Sequence, residues 1–203
     1  MTALEALRRL RELETPAVAT ADAAALLRMP IAQASNTLAR LAGAGMISRV
    51  RHGLWAIRPP IDPLALPEFL TAPQPSYVSL QTALYLHGMV SQIPAVVYAV
   101  SLDRTQRIRT TDGVFSIHHV APEFFGGFDV RPDSTVKLAT PEKALLDVLY
   151  LSTRRSRLFT TLPELELPAR FRVGVARAWV KRIPAKWLRT LVAEKLEELV
   201  QGR

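Results

Sequence analysis

Four prolines fall within ten residues, at Pro59, Pro60, Pro63 and Pro67. Each ring fixes its own φ and removes an amide donor, so neither a helix interior nor a central strand can run through this stretch. The chain is therefore expected to divide into residues 1–58, a semi-rigid proline-rich linker over 59–75, and residues 76–203. Its 203 residues leave room for one large or two modest domains, and pattern rather than length decides between them.

Ahead of the prolines, Leu4 to Leu13 predicts a helix with Leu7 and Leu10 inward and Arg8, Arg9 and Arg11 on a solvated face. Thr20 is a suitable N-cap for a second helix over Ala21 to Arg28, Met29 supplies a turn, and Pro30 suits the first turn of a third helix reaching about Ala42. In that third helix Ile31, Ala34, Leu38 and Leu41 recur at spacings of three and four residues and form the apolar stripe. The opposite side carries Gln33, Asn36, Thr37 and Arg40, with Ser35 near its edge. Such short or forked polar groups suit hydrogen bonding to base edges or phosphates in a major groove. Gly43 and Gly45 end the helix, and Met46 to Val50 and Leu54 to Ile57 read as a strand pair around Arg51, His52 and Gly53. Arg49, Arg51 and His52 would then meet phosphates, adding affinity and salt dependence rather than sequence choice. Helix, turn, helix and basic strand pair together predict a winged helix-turn-helix that binds double-stranded DNA.

Beyond the prolines, Ser79 is placed to cap a helix over Leu80 to His87 that ends at Gly88. Val96 to Ser101, Arg104 to Ile108, Val114 to His119 and Val136 to Leu138 read as strands. Thr140, Pro141 and Glu142 then open a strong helix, capped, started by proline and acidic at the positive end of its dipole, with Ala144, Leu145, Val148, Leu149 and Leu151 as its buried face. Two more helices are expected over Ala169 to Arg182 and Ala185 to Val200. The fold class is α+β, a winged helix-turn-helix followed by a mixed domain with C-terminal helices.

The charge is uneven, with 8 basic against 4 acidic residues in 1–60, 6 against 9 in 61–150 and 12 against 5 in 151–203. Two basic ends around an acidic middle favour an anionic partner. Arg170, Arg177 and Lys181, at i, i+7 and i+11, would share one side of a helix as a second basic surface. The absence of cysteine excludes disulfides, thiolate metal sites and cysteine nucleophiles. The first residues are amphipathic rather than continuously apolar, and no run reaches the roughly 18 apolar residues of a membrane span, so a cytoplasmic location without membrane contact is expected. His118 and His119 with Glu123 invite a metal or general-base reading, but adjacent strand residues point to opposite faces. His87 beside Gly88 is expected to be a helix-end residue. Asp103, Asp112, Asp129 and Asp147 lack a paired spacing, and no GxGxxG, P-loop, GxSxG or HExxH motif is present. The chain is expected to be non-catalytic, with no cofactor and no metal.

Tyr77 to Met89 (YVSLQTALYLHGM), the segment from Ile108 to His119 (IRTTDGVFSIHH) and Lys137 to Leu151 (KLATPEKALLDVLYL) resemble the AbiEi family of antitoxins, and the ATPEKALLD run from Ala139 to Asp147 is the most specific part. The resemblance is thinnest after Leu158. It implies a type IV toxin–antitoxin (abortive infection) regulator. Such a protein represses its own operon by binding inverted promoter repeats through the winged helix, and it counters a co-encoded nucleotidyltransferase-like toxin, without needing a stable complex with it. Two other readings stay open on the residues alone. One is a nucleic-acid-processing enzyme targeted by the winged helix; the other is a stand-alone transcriptional regulator.

Overall fold

The computed structural model describes residues 1–132, 134–152 and 165–201. It is a mixed α+β protein with eight α-helices and two sheets among the described residues. The first part runs α1 (Ala3–Arg11), β1 (Ala17–Ala19), α2 (Thr20–Leu27), α3 (Ile31–Gly43), β2 (Ser48–Arg51) and β3 (Leu54–Ala56). Its three strands form an antiparallel sheet in the order β1-β3-β2. Strand alternation splits this sheet between two cores. Val18 and Trp55 point toward the helices and pack with Leu7 and Leu10 of α1, Ala23 of α2 and Leu38 and Leu41 of α3. Ala17, Val50, Leu54 and Ala56 point the other way.

The proline stretch carries regular structure of its own. Pro63–Ala65 is a 3-10 turn capped by the Asp62 carboxylate, which accepts from the Leu64 amide at 2.9 Å. Leu66–Thr71 follows as α4, with Pro67 in its first turn, where a missing donor costs nothing. Leu66 and Leu70 are buried against the outward-facing residues of the small sheet. Glu68 of α4 forms an ion pair with Lys137 further along the chain.

The second part contains β4 (Ser76–Val78), α5 (Leu80–Leu86), β5 (Val97–Ser101), β6 (Gln106–Thr110), β7 (Gly113–His119), β8 (Phe128–Val130), β9 (Lys137–Ala139), α6 (Pro141–Ser152), α7 (Val173–Val180) and α8 (Lys186–Gln201). A mixed six-stranded sheet runs β6-β7-β5-β4-β9-β8, with β4 parallel to β9 and β5 parallel to β7. Ala99, Ile108, Phe115 and Ile117 line one face and meet α4 and the small sheet in a single apolar cluster. The other face, through Tyr77 and Val100, packs on α5, α6, α7 and α8. Backbone bonds strengthen the junction of the two parts. Thr111, in the turn between β6 and β7, donates its amide to the Val50 carbonyl at 3.2 Å and its hydroxyl to the Arg49 carbonyl at 2.8 Å.

Several local expectations change. Thr20 does not cap α2; Ala19 holds the cap position, and the Thr20 hydroxyl accepts from the Trp55 indole N–H at 2.9 Å instead. The left-handed residue that turns the chain between α2 and α3 is Arg28, at φ 53°. Ile31 lies outside the buried stripe that Ala34, Leu38 and Leu41 form. α6 is buried on every side from Glu142 to Leu151, because the sheet and α5, α7 and α8 enclose it. α7 is half the expected length, and Ala169 to Arg172 precede it in irregular chain. No helix among the described residues is long and apolar enough to cross a membrane.

Candidate nucleic-acid interface

On α3 the exposed side chains include Gln33, Asn36 and Arg40, which share one stripe at spacings of three and four residues. Ser35 is half-buried at its margin. Thr37 does not join them: it is 4% exposed, and its hydroxyl donates to the Gln33 carbonyl one turn back at 2.9 Å. This local back-bonding is the usual way a threonine satisfies itself inside a helix. Thr37 still contributes by accepting from Arg40 at 3.4 Å, a long contact that orients the guanidinium along the stripe. Forked amides and a guanidinium on one helix face can form paired hydrogen bonds with purine edges.

Strand β2 supplies cations of two kinds. Arg49 is exposed, lies over the Trp55 ring at 5.6 Å and donates to His52 Nδ1 at 3.0 Å. The ring and the imidazole support the Arg49 guanidinium, which has further N–H donors to offer an anion. Arg51 is turned the other way, donating to the Leu70 carbonyl at the end of α4 at 3.2 Å. It is half-buried and serves the junction rather than the outer surface.

The second basic surface is not assembled as expected. Arg170 and Lys181 flank α7 rather than sharing its side, since the helix spans only Val173–Val180. Arg177 is held by both carboxylate oxygens of Glu197 at 2.8 Å, which raises its pKa, and Arg170 donates to His87 Nδ1 at 3.3 Å. The nearby Arg172 pairs with Glu142, whose other contacts include the Arg172 amide at 2.8 Å. Burial pushes the Glu142 carboxyl up, but these hydrogen bonds outweigh it and hold the group below its ordinary value. The cationic field of this end is therefore partly cancelled from within.

His118 and His119 do point apart. His118 is buried with Nε2 2.9 Å from the Ser116 hydroxyl, and burial depresses its pKa to about 4. His119 directs Nδ1 to the Leu102 and Asp103 carbonyls at 3.2 Å. His87, at the end of α5, donates Nε2–H to the Ala139 carbonyl at 2.7 Å. No three His, Asp or Glu residues among the described residues are grouped so as to hold a metal ion.

The largest polar feature is internal. Lys143 and Asp147, both fully buried on α6, form an ion pair. The ammonium also donates to the Tyr77 hydroxyl at 2.9 Å and sits 3.8 Å from the Phe124 ring centroid, with the Trp179 ring at 5.4 Å. Asp147 accepts from Tyr77 at 3.1 Å and from Ser79 at 2.7 Å. Burial drives Lys143 down and Asp147 up, and each charge partly restores the other; burial likewise raises the Tyr77 phenol well above its ordinary value. Thr140 caps this helix by accepting from the Lys143 amide at 3.3 Å. Ser79 occupies the cap position of α5 but gives its hydroxyl to Asp147. The network bonds β4 to α6 and is enclosed by rings.

Sequence reasoning set Asp147 aside as lacking a paired spacing and passed over Lys143, although a Lys and an Asp four residues apart inside the apolar run KALLD signal such a pair. It also passed over the outward position of Ile31 and of Arg28, which no periodicity indicates. No family model matches the chain, and no curated protein matches it.

Proposed function

We propose that this chain is a DNA-binding transcriptional repressor of the winged helix-turn-helix type, and that it acts as the antitoxin of a type IV toxin–antitoxin system. The observation that carries the DNA reading is the outward stripe of Gln33, Asn36 and Arg40 on α3, together with the ring-supported, exposed Arg49 of β2. The order helix, strand, helix, helix and strand pair, with β1 added to the pair, supports the winged form of that docking geometry. α3 would enter the major groove, Arg49 would grip the backbone, and two copies on a symmetric operator would supply specificity.

The antitoxin half rests on the resemblance to AbiEi proteins. Two of its segments, Tyr77 to Met89 and Lys137 to Leu151, fall on β4–α5 and β9–α6, which share the Tyr77–Ser79–Lys143–Asp147 network. The resembling residues thus include those that hold the second part together, which favours a common scaffold. The partners are the chain's own promoter DNA and a co-encoded nucleotidyltransferase-like toxin.

A gel shift on the DNA upstream of the chain's own coding sequence, run across salt concentrations, tests the first half. Retention of that fragment over random DNA is expected; equal binding to both overturns it. Co-expression with the neighbouring gene product tests the second. Growth rescue that survives Arg40→Ala assigns neutralisation to the second part of the chain, and absence of rescue by the native protein removes the antitoxin role.

A further inference from the structure

We infer that Thr111, in the second part of the chain, is a positioning residue for the DNA contact of Arg49, because it fixes the β2 backbone on which that arginine stands. The inference rests on the DNA reading proposed above. Strand β2 is irregular where its cations lie. Its register on β3 passes from Arg49 opposite Trp55 to Arg51 opposite Leu54, which leaves Val50 as the extra residue of a β-bulge. The bulge sends Val50 and Arg51 to the same underside, Val50 into the shared apolar cluster and Arg51 to the Leu70 carbonyl, while Arg49 stays over the Trp55 ring. Two consecutive carbonyls at this irregularity are taken from outside the small sheet. The Thr111 amide donates to Val50 at 3.2 Å, and the Thr111 hydroxyl stands 2.8 Å from the Arg49 carbonyl. That hydroxyl shares its one proton with the Asp112 carboxylate, also at 2.8 Å.

Thr111 is carried on a tightly held hairpin. Thr110 pairs with Gly113, so Thr111 and Asp112 form a two-residue turn, and the Thr110 hydroxyl bonds to the Asp112 amide and the Gly113 carbonyl at 3.1 Å each. Ile108 and Phe115 anchor the two strands of the hairpin in the shared apolar cluster. Arg49 and His52 stand on either side of the bulged Val50, and the Arg49 guanidinium reaches His52 Nδ1 across it at 3.0 Å. That closure depends on the path of residues 49–52, which Thr111 holds at the Arg49 and Val50 carbonyls. A long surface arginine loses rotamer freedom when it meets a phosphate. One already held at its backbone, by a ring and by an imidazole loses less, and the difference appears as affinity. The first part of the chain therefore owes a share of its DNA affinity to the second.

Fluorescence anisotropy on the full chain tests this, with the upstream duplex and a random duplex across salt concentrations. Thr111 is exposed, so loss of its hydroxyl leaves both cores intact. Thr111→Val keeps the amide bond and the side-chain volume, and it is expected to weaken binding to both duplexes alike, by about fivefold, with a shallower salt slope. Thr111→Ser returns the hydroxyl and should restore native binding. In an Arg49→Ala background Thr111→Val should cost nothing more, since the group it positions is gone. A residue that only joined the two parts would lower the urea midpoint, yet leave the salt slope native and its effect additive with that of Arg49→Ala. Native affinity in Thr111→Val, or additive losses in the double variant, overturns the assignment and leaves the DNA reading intact. Failure of the native protein to prefer the upstream duplex over random DNA removes the DNA reading, and this assignment with it.

Discussion

Lys143 and Asp147 stand one turn apart on α6 and pair where neither side chain touches solvent. Asp147 accepts two further hydrogen bonds from Tyr77 and Ser79, and Lys143 is roofed by the Phe124 and Trp179 rings. Removing one partner strands the other as a buried charge, at about 3 to 5 kcal/mol. Lys143→Met and Asp147→Leu should each lower stability by that amount in urea titrations. The double variant should lose about 2 kcal/mol less than the two single losses together, since it leaves no charge unpaired. Strict additivity would show that the pair is not coupled.

Gly127 carries a second constraint on the same site. Its φ is +72°, and a Cβ there would stand 2.9 Å from Trp179 and 3.0 Å from the Lys143 side chain. Gly127→Ala adds backbone strain to a clash, and a loss of about 2 kcal/mol is expected. Trp179→Leu in that background should recover the share imposed by the ring, but neither the Lys143 contact nor the strain. A thermal melt of Gly127→Ala unchanged from the native protein would contradict this.

His118 predicts a pH dependence with a definite sign. Its folded pKa of about 4 lies below the ordinary value of 6.5, so the unfolded chain takes up the proton first as pH falls. Stability held above pH 6.5 is lost progressively down to about pH 4, by on the order of 3 kcal/mol. Comparison of urea midpoints at pH 7 and pH 4 for the native protein and His118→Gln isolates this share. Parallel pH curves for the two would mean that His118 does not titrate as its burial requires.

Three arginines divide the predicted DNA contacts. Arg40→Ala should weaken promoter binding selectively, by about 1 to 3 kcal/mol. Arg49→Ala should weaken promoter and random DNA alike and reduce the salt slope by about one. Arg51→Ala should leave DNA affinity nearly unchanged but cost about 1 kcal/mol of stability, through the lost bond to Leu70. Anisotropy at several salt concentrations separates the three, and a promoter-selective loss in Arg51→Ala would reverse the division.

The legible parts of the chain are those whose signals are local. α6 announces itself through Thr140, Pro141 and Glu142, and the outer stripe of α3 follows from the spacing of Gln33, Asn36 and Arg40. β1, β4 and β8 have three residues each, too few for an alternating pattern to register. Thr37 looked outward by spacing, but its hydroxyl is satisfied by its own helix. Arg51 read as a groove cation because nothing in the sequence brings Leu70 beside it. The prolines marked a break in regular structure, yet Pro63 and Pro67 sit at first-turn positions, where the same ring that bars a helix interior starts a helix.

The apolar cluster beneath the small sheet draws Ala17, Val50, Leu54 and Ala56 from one side, Leu66 and Leu70 from α4, and Ile108, Phe115 and Ile117 from the other. A recombination event at Arg58 would split that cluster and hand its recipient a first part with a bare hydrophobic underside. Exchange of this first part between chains is therefore constrained to carry the helix up to Thr71 along with it, together with a recipient surface that can receive Leu66 and Leu70. The unit that can be inherited separately ends a helix later than the prolines suggest.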